Sequence, residues 1–96
     1  MATVIDGNFE WDSDKAAQNL DKHGVLFEEA ATVFADPLAV YVDDGSGIGR
    51  IAAIGMSLRS RVLYVVHVER SQRDRIISAR QATAAERRLY ESGESS

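Results

Sequence analysis

Apolar residues follow helical spacing in the first part of the chain and strand spacing after it. Between Asp12 and Gly24, Ala16, Leu20 and His23 stand at i, i+4 and i+7, which predicts one apolar face of a helix. Lys15, Asn19 and Lys22 form a second stripe at the same spacing, displaced toward the polar face. Asp12 or Ser13 can cap the start, and Gly24 can take the left-handed conformation that ends it. A second helix is predicted from about Leu26 to Ala35, with Phe27, Ala30, Ala31 and Phe34 on one side and Asp36-Pro37 as its stop. After Pro37 the pattern changes to period two and β-branched runs at 38–43, 50–57, 61–70 and 75–78, which read as strands. The connections are short enough to require antiparallel hairpins. Asn8 to Trp11 can supply a further strand, and Thr83 with Glu86 forms a capping box that opens a last helix running to about Ser92.

This order predicts a small α+β domain: two N-terminal helices, an antiparallel β-meander and a C-terminal helix, with the helices on one face of the sheet. The 96 residues fit one domain over 1–92, followed by a disordered tail at 93–96. With 45% apolar and 27% charged residues the chain is expected to be globular. It has no cysteine, which excludes disulfide and thiolate–metal support. No apolar run approaches the roughly 18 residues of a spanning helix, and the N-terminus lacks a signal-peptide pattern. A soluble, cytoplasmic protein with no membrane partner is expected.

Charge is divided along the chain. Residues 1–49 hold ten carboxylates against Lys15 and Lys22, whereas residues 50–88 hold nine arginines against three carboxylates. Arginine presents a planar fork of donors suited to phosphate, so the second half is a candidate anion-binding region; pairing with the acidic half is the alternative. Metal chemistry is not expected, because His23 and His67 are far apart and neither HExxH nor CxxC spacing occurs. No cofactor motif is present either: the glycines at 45–49 join two antiparallel strands and open no helix. The stronger constellation is Lys22 and His23 at the end of the first helix, with Arg61, Arg70, Arg75 and Arg80. Cleaving RNA without a metal needs a base, cations to stabilise the phosphorane and an acid, and these residue types supply all three. The structural alternatives are helix-dipole complementation for Lys22 and His23 and surface ion pairs for Arg75 and Arg80. Trp11 reads as a core residue or as a platform on which a base stacks.

Phe9-Glu10-Trp11-Asp12, Lys15, Asn19, Lys22-His23-Gly24-Val25, Phe27 to Ala30 and Asp36-Pro37 resemble the N-terminal pattern of the BrnT toxin family. Ile54 to Ser57, Glu69-Arg70, the run Arg75 to Ala82 and Glu86-Arg87 resemble the rest of it. The resemblance implies a type II toxin with a RelE-like α+β ribonuclease fold. It further implies an RNA substrate and neutralisation by a ribbon-helix-helix antitoxin, in a 2:2 complex that reaches operator DNA only through the antitoxin. The resemblance implies functional positions at Lys22, His23, Arg61, Arg70 and Arg80, taken as catalytic residues; Arg75 and Trp11 are the candidate substrate-binding residues read from their side-chain chemistry. The sequence departs from the family pattern at Ser60, where Gly is common, and at His67, which is expected to add a titratable group near the site. The rival reading is a non-catalytic co-repressor that shapes a DNA-binding partner.

Overall fold

In the computed structural model, residues 2–93 are described. The chain opens with the strands β1 (Thr3–Asp6) and β2 (Phe9–Asp12), then α1 (Ser13–His23) and α2 (Phe27–Thr32), which tightens into a 3-10 turn over Val33–Ala35. Four strands follow, β3 (Val40–Asp43), β4 (Arg50–Met56), β5 (Val62–Glu69) and β6 (Asp74–Gln81), and α3 (Ala84–Ser92) closes the order. β1 was not expected. The expected disordered tail began at Gly93, but that residue is the left-handed cap of α3 at φ 73°; 94–96 lie outside the described residues.

β3 to β6 make the expected antiparallel meander, and the sheet order is β1-β2-β6-β5-β4-β3. β2 joins it in parallel, pairing only Phe9 with Asp74 and Glu10 with Arg75. Beyond Arg75 the outer edge of β6 has no strand partner among the described residues, and α1 packs there instead. Between the pairs Val66–Ser78 and His67–Ile76 the register shifts, leaving Ile77 as the extra residue of a β-bulge. Bulges of this kind bend a strand and re-aim its side chains.

Alternation along β4 and β5 divides the apolar residues between two faces. Ala53, Leu63 and Val65 join Trp11, Val25, Phe27, Ala30, Val33, Ile76 and Ala79 under α1 and α2. Ile54, Val62 and Val40 face the other way, where Tyr64 and Tyr90 cover them. The helices thus lie on both faces, not on one: α3 docks opposite α1 and α2. Full burial of Trp11, Phe27, Leu63 and Ile76 makes the first layer the main source of stability, at about 1.5–3 kcal/mol per large apolar side chain. Gly55 sets the closest approach, because a Cβ there would stand 3.0 Å from both Ala39 Cβ and Val33 Cγ1.

Candidate active site

α1 starts where Asp12 Oδ2 accepts a hydrogen bond from Lys15 N at 3.0 Å, and it ends at Gly24, which is left-handed at φ 69°. Lys22 and His23 occupy the last turn, where the helix's negative end favours cations. The expected apolar face does not lead the packing: Leu20 is 42% exposed, and the buried residue of α1 is Asn19. The polar stripe therefore faces β6. Asn19 Oδ1 accepts from Ala79 N at 3.0 Å, and Asn19 Nδ2 donates to Ala79 O at 2.8 Å and to Val25 O at 3.0 Å. An amide side chain thus stands in for a strand, satisfying the free edge of β6 at Ala79.

This docking leaves a groove of about 260 Å³ between α1 and β6, lined by Lys15, Gln18, Asn19, Lys22, His23, Ile77 and Ser78. Helical spacing supplies one wall, and the bulge at Ile77 shapes the other. Among the described residues no carboxylate lines the groove, which makes it a cationic cleft suited to a phosphodiester.

Arg61, just before β5, reaches the same end of α1. Its Nη2 donates to Gly24 O at 3.1 Å, while Nε donates to Glu29 Oε2 at 3.0 Å and Nη2 to Glu29 Oε1. Ser57 Oγ donates to Glu29 Oε2 at 2.7 Å. Hydrogen bonds from Arg61 hold the buried Glu29 carboxyl below its ordinary range despite the opposing effect of burial, and Glu29 in turn raises the Arg61 guanidinium. Glu29 thus fixes Arg61 as a permanent cation beside the residue that follows His23.

The predicted residues separate into several places. Lys22 and His23 line the groove at the end of α1, whereas Arg61 reaches the carbonyl of the next residue, Gly24, and is not among the lining residues. Arg80 lies on the α3 face, its guanidinium 4.3 Å from the centre of the Tyr64 ring, with Nη1 and Nη2 donating to the two carboxylate oxygens of Glu86 at 2.8 and 2.9 Å. Nη1 also donates to Gln81 O at 3.2 Å, so the fork is occupied within the chain. Arg70 is exposed at the β5–β6 turn. Arg75 pairs with Glu10 at 2.7 Å across the β2–β6 junction. Trp11 is 1% exposed and meets Phe27 edge to face, so neither ring face is open to a base. His67 is buried against Phe34 and Tyr41 and does not line the groove, contrary to the expectation that it stands near the site. Lys15, Gln18 and Ser78 were not singled out as site residues. The spacing of Lys15, Asn19 and Lys22 was the signal that could have found the first; Ser78 lies within the family-like run Arg75 to Ala82, but nothing in that run distinguishes it from its neighbours.

A family model described as "Ribonuclease toxin, BrnT, of type II toxin-antitoxin system" matches residues 11–86. Among solved structures, the 1.1 Å crystal structure of the Brucella abortus ribonuclease toxin BrnT aligns with a TM-score of 0.61 and 24% identity, covering 76% of this chain and 92% of that chain. No curated protein matches significantly. The shared α+β fold and a family match across most of the sequence, groove included, lead to one assignment: the chain belongs to the BrnT family of ribonuclease toxins of type II toxin–antitoxin systems.

Proposed function

We propose that this protein is a metal-independent endoribonuclease, cytoplasmic and built on a RelE-like plan, whose cleavage centre is the groove between α1 and β6. The observation that carries this reading is the joint placement of Lys22 and His23 in a cleft lined by cations and neutral polar groups, without a carboxylate to hold a metal. One of the two takes the proton of an RNA 2'-OH, and the freed oxygen attacks the adjacent phosphorus. The bond to the 5'-oxygen breaks, and that oxygen receives a proton from the other residue. The products are a 2',3'-cyclic phosphate and a 5'-OH. Lys15 and Lys22 give the helix face of the groove positive potential, which attracts the RNA backbone, while Arg61, paired with Glu29, braces the end of α1 through Gly24 O. Arg70, exposed at the β5–β6 turn, and Arg75, paired with Glu10 at the start of β6, do not line the groove and contribute to approach rather than to the reacting phosphate.

A cognate ribbon-helix-helix antitoxin neutralises the toxin in a 2:2 complex and carries it to operator DNA. The test of catalysis is incubation with single-stranded RNA in excess EDTA. Fragments ending in 2',3'-cyclic phosphate are expected at an undiminished rate; cleavage only after a divalent metal is added overturns the mechanism. Expression without the antitoxin is expected to arrest growth, and normal growth with folded protein favours the co-repressor reading.

A further inference from the structure

Lys22 and His23 sit in the last turn of a helix of only 11 residues, and a helix end frays unless something holds it. The apolar contacts of α1 are thin: Leu20 is 42% exposed, and Ala16 is the α1 residue packed against the core. What holds the end is polar. Asn19 is 7% exposed and spends its amide on three partners: both backbone groups of Ala79 on β6, and the carbonyl of Val25, two residues beyond His23. It stands one turn before His23 on the wall of the groove, and Ala79 follows Ser78, which lines the opposite wall. One side chain thus ties together both walls and the loop that ends the helix.

We infer that Asn19 is the positioning residue of the cleavage centre, fixing Lys22 and His23 against β6 without touching RNA. This rests on the nuclease reading above. Any neutral side chain of similar size would fill the volume, but an amide is required to accept from Ala79 N while donating to two carbonyls at once. Aspartate has the same shape and keeps the acceptor, yet it turns the two donated bonds into contacts between oxygens. The helix end then shifts outward from β6, and displacement of a reacting group by about 1 Å costs on the order of a hundredfold in rate.

The experiment measures kcat and KM for cleavage of a short RNA by wild type, Asn19→Asp and Asn19→Ser, with thermal unfolding recorded for each. A control, Ile54→Val, thins the core on the far face under α3. For Asn19→Asp a fall in kcat of tenfold or more is expected, with KM changed by less than about threefold, and amide exchange at Ala79 and Val25 should speed up. Ile54→Val is expected to lower the unfolding temperature while leaving kcat unchanged. Should Asn19→Asp fail to fold, Asn19→Ser, neutral and smaller, is expected to show the same split. Active wild type with an unaltered kcat in a folded Asn19 variant overturns the inference alone. Loss of kcat in Ile54→Val equal to that in Asn19→Asp also overturns it, because general destabilisation then explains both. Inactive wild type overturns the nuclease reading, and the positioning role with it.

Discussion

His67 is held where it has nothing to bond. It is 2% exposed, the rings of Phe34 and Tyr41 lie 4.8 and 6.2 Å away, and both ring nitrogens lack a hydrogen-bond partner among the described residues. Burial pulls its pKa below 6.5, while Asp74 and Glu69 oppose that shift. The folded state therefore keeps the ring neutral at a pH where the unfolded chain already binds a proton. The stability this confers is complete above pH 6.5 and is lost as pH falls toward the lower folded value, with a slope of up to about 1.4 kcal/mol per pH unit. The depressed carboxylates, Glu29, Asp36, Asp44 and Glu86, lose their contributions only as pH falls below ordinary values of 4.5 or 3.8, so a comparison above pH about 5 reads His67 with little contribution from them. Urea unfolding at pH about 7.5 and about 5 is expected to show acid destabilisation in wild type and a much flatter response in His67→Leu. An equal loss in the variant would assign the sensitivity to other groups. Ser60, the other departure from the family pattern, takes φ 62°, where glycine is comfortable and other residues pay about 1 kcal/mol or more. The hairpin closes regardless, with Ser57 N donating to Arg61 O at 2.8 Å and Ser60 N to Ser57 O at 2.9 Å.

At the scale of elements, both ends of α1 and the start of α3 were legible, because caps are local chemistry: Asp12, Gly24 and the Thr83–Glu86 box act within a few residues. The meander was legible from its alternation. β1 was not, since four residues carry little pattern, and neither was the parallel junction of β2 with β6, which depends on where the chain returns after α1. β6 extends to Gln81, past the predicted Ser78. Its last residues carry no apolar alternation because Asn19 covers their edge and Arg80 lies across Tyr64. That stacking, with the Glu86 pair, fastens α3, which has no buried residue of its own. The Tyr64 hydroxyl is pushed up to about 12 by burial and by its bond to Asp44, so the ring stays neutral beneath the cation. Arg80→Ala is therefore expected to cost about 1–2 kcal/mol of stability, a partly exposed ion pair plus one cation–π contact. Its RNA cleavage rate should stay within about threefold of wild type. A loss of a hundredfold at full folding would return Arg80 to the reacting phosphate.

For the whole molecule, the division of charge along the chain becomes a partial pairing in space. Glu29 meets Arg61 and Glu10 meets Arg75, each joining the acidic half to the basic half. The groove remains cationic on a molecule whose net charge is −4. With a net charge of −4 the molecule has no overall attraction for a segment bearing carboxylates, so local placement of cations decides where an antitoxin docks. Arg61 and Arg80 already hold carboxylates within the chain, whereas no ion pair of Lys15 or Lys22 occurs among the described residues. On the proposed reading, the partner covers the groove at Lys15 and Lys22 through an interface above about 1,200 Å², and its own two-fold dimer brings two toxins together. Light scattering of the mixed proteins should give the mass of a 2:2 particle, and a 1:1 particle at micromolar concentration would contradict the dimeric partner. Replacing Lys15 and Lys22 together with Ala should weaken the complex by on the order of 2 kcal/mol or more, mainly through faster dissociation. Arg80→Ala should leave the affinity unchanged. The reverse result would place the antitoxin on the α3 face and make inhibition indirect.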